Sequence, residues 1–298
     1  MTKNLNETAG GKKKYKNRSL WQEVWRRFKK NPGAMAGLII MIILVIVAIA
    51  SGFIYDYDAD VIANHPAQRL QKPSAEHWFG TDNLGRDIFA RVIYGTRYSL
   101  SVGIVAVFVS LFIGITLGSL AGFIGGVVEN IIMRITDIFL ALPSMLLAIA
   151  IVAAMGASAV NLMIAVGVCS AASFVQVTRA SVLTVRNNDY IEAARAIGAS
   201  NWDIIRTHIL PNSISPIIVQ ATLRVGSAII SAAGLSFIGM GVPLPAPEWG
   251  AMLSAGRQYI RDYSYMTLFP GLAILITVIS CNLIGDGLRD AIDPKLKR

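Results

Sequence analysis

Six stretches of the chain are apolar nearly throughout, at about residues 34–54, 100–124, 138–155, 160–177, 214–240 and 266–284. A bilayer core about 30 Å thick takes about 20 apolar residues of helix. The pattern therefore predicts an all-α membrane protein with six transmembrane helices. The first two windows hold no charged residue, the third carries Pro143 near its start, and the fifth holds one charge, Arg224. Polar segments separate them, the longest being a first loop over residues 55–98 and a second over 179–212. The first window follows a basic segment and contains Ala48-Ile49-Ala50, a pattern also found at signal-peptide cleavage sites. Its apolar core exceeds the roughly 7–15 residues of a signal peptide, so an uncleaved first span is expected.

Composition supports the pattern. Of 298 residues, 54% are hydrophobic and 15% charged, against about 25% charged in an ordinary soluble domain. The mean hydropathy is +0.56. This excludes a disordered chain and disfavours a soluble enzyme. The formal charge of +9 and pI near 9.7 would point to nucleic acid in a soluble protein, but their distribution reads otherwise. Ten of the 27 Lys and Arg precede residue 31, and 19 in all fall on the side that six spans assign to both termini. Seven fall on the other side, and Arg224 is the remaining one. By the positive-inside rule the termini are cytoplasmic, and the basic N-terminal segment lies near anionic lipid. The charge thus reports topology in a lipid bilayer, and no nucleic-acid partner is expected.

Catalytic and metal-binding signatures are missing: there is no phosphate loop, no GxSxG elbow, no HExxH and no paired Cys/His set. Cys169 and Cys281 lie inside apolar runs and read as packing residues, and His65, His77 and His208 fall between the spans. No catalytic residue, metal ligand or cofactor is assigned to the chain. Ion-coupled carriers place ionisable groups within their spans; here only Arg224 sits deep in one. At about 1.5 Å per residue it reaches mid-membrane, where it either lines a substrate path or makes a structural pair. Gly114, Gly118 and Gly122, at i, i+4 and i+8, make one face of the second span fit for close helix approach, at a bundle or subunit interface. Pro216, Gly226, Gly234, Gly239 and Gly241 mark the fifth span as able to bend.

The loop at residues 179–212 is the most informative stretch. Residues 190–197 are rich in helix formers, and Gly198 suits the left-handed residue that ends a helix. Ser200 with Asp203 resembles a capping box for a second helix, which Pro211 is expected to stop. Helix, tight turn and helix would form a knob suited to docking into a groove on another protein. Glu192-Ala193-Ala194, Gly198 six residues after Glu192, and Leu210-Pro211 resemble the EAA motif of binding-protein-dependent ABC importer permeases. The Ile that the motif commonly places two residues before the Leu is His208 here. The resemblance covers nearly the whole chain. His77-Trp78-Phe79-Gly80-Thr81-Asp82-Asn83-Leu84-Gly85-Arg86-Asp87 is similar to the HxxGTDxxGRD segment of the C-type subunit of dipeptide, oligopeptide and nickel permeases, and Glu248-Trp249-Gly250 and Asn282-Leu283-Ile284-Gly285-Asp286-Gly287 resemble that DppC/OppC-like subfamily too.

The resemblance implies the transmembrane domain of a type I ABC importer. It divides the chain into a basic N-terminal segment (1–33), a first transmembrane helix (34–54), an extracytoplasmic loop (55–98), a five-helix core (99–286) with the coupling loop at 179–212, and a cytoplasmic tail (287–298). It implies a cell-membrane permease that forms half of a pore for di- or oligopeptides. Its partners would be a second permease subunit (DppB/OppB-like), two ABC ATPases that bind ATP and Mg, and an extracytoplasmic peptide-binding protein. Glu192, Ala193, Ala194, Arg195, Gly198, Ala199, Leu210 and Pro211 would couple to the ATPases, and Arg224 is the candidate for the substrate path. A nickel importer is the alternative within the family. Outside it stand an ion-coupled secondary transporter, which lacks the ionisable groups within the spans, and a membrane enzyme, which lacks a catalytic constellation.

Overall fold

The computed structural model describes residues 20–292. The basic residues before Leu20 and the three beyond Ile292, which carry much of the predicted charge asymmetry, lie outside the described residues. Within them the chain is helical: α1 (Leu20–Phe28), α2 (Pro32–Ile54), α3 (Ile88–Ile124), α4 (Gly126–Ala141), α5 (Ser144–Met155), α6 (Ala159–Val185), α7 (Asp189–Ala196), α8 (Asn201–Ile204), α9 (Leu210–Phe237), α10 (Trp249–Gly256) and α11 (Tyr265–Ile292). Five helices are long and apolar enough to cross a membrane, and α4 with α5 makes a sixth candidate bent by 96°.

Several boundaries differ from the sequence expectation. Helix α6 runs to Val185, into the stretch assigned to the coupling loop, α11 runs to Ile292, into the stretch assigned to the tail, and α4 fills residues 126–137, expected between spans. The second span begins twelve residues early, at Ile88, because Asp87 accepts a hydrogen bond from the Ala90 amide at 2.9 Å and caps the helix. The third window is two helices: Pro143 holds Leu142 extended (φ −91°, ψ 139°), and α4 stops there. Pro211 does not stop a helix. The segment Asn201–Phe237 is one continuous span, with a widened turn at Ile205–Ile209 in which the Leu210 amide donates to the Ile205 carbonyl. A five-residue turn relieves the clash a proline ring makes with the carbonyl four residues back. The Asn212 side-chain amide donates to the His208 carbonyl at 2.6 Å and occupies a backbone acceptor there.

The bundle centres on α3 against α6, flanked by α9, with α11 packed on α2 and α9. The glycine face of α3 lies on α6: a Cβ on Gly114 would stand 2.2 Å from the Phe174 Cβ, and one on Gly118 would stand 2.6 Å from the Thr178 Cβ. The small-residue repeat is thus used inside this chain, where it lets two backbones approach closely. Ser110 adds a hydroxyl hydrogen bond to the Gly167 carbonyl at 2.7 Å across the same seam. On the far side Gly287 of α11 packs against Ala34 of α2, and Gly37 lies on the Ser280 carbonyl. The N-terminus of α2, the C-termini of α3, α6 and α11, the start of α9, and α7 and α8 therefore share one end of the bundle. The segment between α2 and α3, the loop after α9, and α10 gather at the other end.

Candidate functional site

Helices α7 and α8 are clamped to the bundle by aliphatic packing. Ile191 and Ala194 of α7, Ile204 of α8, and Ile205 and Ile209 of the widened turn are buried against Phe123 of α3 and Val182 and Val185 of α6. Spacing explains the burial: Ile191 and Ala194 are three residues apart and face one way. Between the helices Gly198 takes φ +84°. Its amide donates to the Arg195 carbonyl at 3.0 Å, and the Ala199 amide donates to the Ala194 carbonyl at 3.1 Å. This closes α7 with the left-handed turn that only glycine adopts without strain. Ser200 then caps α8, its hydroxyl oxygen accepting from the Asp203 amide at 3.2 Å and its O–H donating to the Asp203 carboxylate at 2.5 Å.

The outward face of this unit carries three large apolar side chains among polar ones. Ile197 is 86% exposed and Trp202 64%, with Tyr190 also exposed. Glu192, Ala193 and Arg195 are exposed as well, Ala199 and Leu210 are half-buried, and Pro211 is exposed at the first turn of α9. Arg195 lies back over the Phe123 ring at 5.0 Å, and Arg186 donates to the Gly122 carbonyl at 2.8 Å. A cation thus covers the C-terminal end of α3, where the helix dipole favours positive charge. Arg179 of α6 pairs with Glu129 of α4 through its Nε at 2.6 Å. Nothing within 4 Å opposes a Cβ on Gly198, so a side chain there would project from the turn into the space before that outward face.

Arg224 stands apart from this unit. It lines a cavity of about 370 Å³ with Ser227 and Ser231 on its own helix, Ser170 and Ser173 on α6, and Phe139, Leu142 and Met145 from the bent α4–α5 pair. Among the described residues Arg224 has no hydrogen bond or ion pair.

At the opposite end lies a buried polar network in segments that sequence reasoning matched to family motifs but gave no structural role. The Asp82 carboxylate accepts from the Leu84 amide at 2.8 Å, the Arg86 amide at 3.0 Å and the Arg86 Nε at 2.6 Å. Arg91 of α3 is 1% exposed. It approaches Asp82 at 3.8 Å and donates to the Val61 carbonyl at 2.6 Å and the Pro245 carbonyl at 3.2 Å. One side chain so ties together three separate stretches of chain. Glu248 caps α10, accepting from the Gly250 and Ala251 amides at 2.9 and 2.8 Å. Burial pushes its carboxyl above the usual range, with those amides pulling the other way. The Gly-Thr-Asp and Gly-Arg-Asp runs of residues 80–87 carry this network, and the spacing of opposite charges at Asp82 and Arg86 was its one local signal.

The chain is thus a bundle of membrane-length apolar helices with a bent pair, a cavity open at its surface and a helix-turn-helix held at one end. A chain of the MetNI methionine ABC transporter, solved in inward facing conformations, shares the fold at a TM-score of 0.56 and 20% identity, over 67% of this chain and 96% of that one. The chain belongs to the family of binding-protein-dependent transport system inner membrane components, whose model matches residues 114–298. A second model, the N-terminal transmembrane domain of oligopeptide transport permease C, matches residues 19–73. The dipeptide transport system permease protein DppC of Alkalihalophilus pseudofirmus is 49% identical over 94% of this chain and 91% of its own length. The glutathione transport system permease protein GsiD of Shigella flexneri is 48% identical over 94% and 92%. The protein of the same name in Escherichia coli O6:K15:H31 is 46% identical over 94% and 92%.

Proposed function

We propose that this permease forms one half of the pore of an ATP-driven importer of small peptides, and that α7, Gly198 and α8 are where separate ATPase subunits grip it. The observation that carries the reading is the division of that unit into two faces. Its inner face is sealed to α3 and α6 by Ile191, Ile204, Ile205 and Ile209, while Tyr190, Ile197 and Trp202 stand in the open. An element fixed to two spans and to the start of a third moves them when it is moved. The exposed Tyr190, Ile197 and Trp202 on its outer face are what a partner groove would cover. Glu192, Ala193, Ala194, Arg195, Ala199, Leu210 and Pro211 belong to this coupling element as face, root or hinge.

Peptide cargo is supported by relatives named for dipeptide and glutathione transport, both peptides. In this reading the end that holds α7 and α8 faces the cytoplasm with both termini, as the basic N-terminal segment favours. Segment 55–87 and the α10 region face outward, toward a peptide-binding protein. A second permease completes the pore, Arg224 lines the path, and ATP and Mg are held by the ATPases.

Reconstitution tests the reading. Proteoliposomes with both permeases, the ATPases and a loaded binding protein should accumulate peptide only with ATP. Uptake driven by an ion gradient without ATP would overturn it.

A further inference from the structure

We infer that Arg224 and the serines around it form a subsite for the C-terminal carboxylate of the peptide in transit. The inference rests on the peptide-permease reading above and names the part of the cargo that this chain recognises.

A cation deep in a span is costly, and a chain that keeps one normally provides a partner. Among the described residues there is none: Arg224 makes no ion pair and no hydrogen bond, and no acidic side chain lines its cavity. The lining instead offers hydroxyl donors. Ser227 and Ser231 follow Arg224 at i+3 and i+7, on the same face of α9. Ser170 faces them from α6, and these three hydroxyls also make no hydrogen bond within the described residues, while Ser173 donates to the Ser170 carbonyl at 2.9 Å. A guanidinium with free neighbouring O–H groups is a set of donors without an acceptor, and a carboxylate is the group that fills it, by charge-assisted and bidentate hydrogen bonds.

The rest of the cavity fits a peptide rather than an inorganic anion. Phe139, Leu142 and Met145 form an apolar wall on the α4–α5 side, and methionine adapts to side chains of different shape. The volume of about 370 Å³ lies at the small end of ligand pockets. Ser227 and Ser231 are exposed on the surface of this chain, so the cavity opens away from the bundle, on the side where a second pore subunit would close it. An acid from that subunit is the rival occupant.

The test uses the whole complex in proteoliposomes, with trialanine and its C-terminal amide as probes, each supplied at concentrations that load the binding protein equally. The wild type should move trialanine about tenfold faster than the amide, the scale of one charge-assisted hydrogen-bond set. Arg224→Gln should reduce the trialanine rate to that of the amide, and Arg224→Lys should keep part of the preference. Saturation-transfer NMR on the purified complex without binding protein supplies an independent readout: contact with trialanine that Arg224→Gln removes. Equal wild-type rates for the two probes, absence of NMR contact, equal slowing of both probes in Arg224→Gln, or dissociation of the two permeases in that variant would each overturn the inference, the last assigning Arg224 to the subunit interface. Wild-type uptake of neither probe would overturn the peptide reading itself.

Discussion

At the scale of single residues, opposite charge is handled in two ways. Asp82 is 7% exposed, Arg86 3% and Arg91 1%, and every one of them is paired. Asp82 receives two backbone amides as well as both guanidinium groups, which is the condition under which buried ions are tolerated. Removing the carboxylate strands two buried cations. Asp82→Asn should therefore destabilise the end of the bundle that holds this cluster by about 3–5 kcal/mol, seen as a lower melting temperature of the detergent-purified protein; an unchanged transition would mean that the cluster is open to water. Arg224 is the reverse case, a cation with no partner among the described residues. In the sequence both looked alike, as arginines near or in an apolar run. Asp82, four residues before Arg86, hinted at local pairing, but the Val61 and Pro245 carbonyls that complete Arg91 lie 30 and 154 residues away in the chain. No local pattern encodes contacts of that range.

At the scale of elements, the long apolar spans were legible, whereas helix ends and the helices α1, α4 and α10 were not. Apolar run length identified the spans, because lipid leaves the backbone no alternative to internal hydrogen bonding. Ends are set by capping and by proline. Asp87 starts α3 within what reads as a polar loop, and Pro143 breaks a run that reads as one span. Gly198 and Ser200 acted as their residue types predict, whereas Pro211 sits in the first turn of α9, just after a widened turn at Ile205–Ile209 that follows from no sequence rule. Two packing predictions belong here. Ile204→Ala removes a wholly buried side chain from the root of α8, a loss of about 2–5 kcal/mol by analogy with other core truncations. Faster amide exchange across α7 and α8, with α3 and α6 unchanged, is the expected result; unchanged exchange there would show that the aliphatic cluster does not hold the knob. Gly114→Val drives a methyl into Phe174 and should reduce folded yield through overpacking of the α3–α6 seam, a result checked by size-exclusion profile.

At the scale of the whole molecule, the chain has the α7–α8 unit with its exposed Ile197 and Trp202 at one end and a buried polar clamp at the other, joined by helices whose glycines permit close contact. The unpaired cation lies between them, beside the bent α4–α5 pair. This arrangement suits a pore subunit moved by force applied at α7 and α8. Gly198 is the place to test that claim, because a Cβ there meets no described residue within 4 Å and costs the turn only about 1 kcal/mol of strain. The decisive measurement is ATP-dependent peptide uptake by complexes carrying Gly198→Asp, with membrane insertion and subunit assembly verified in parallel. The account predicts an inserted, folded protein whose uptake is abolished; uptake at the wild-type rate from an assembled Gly198→Asp complex would contradict it.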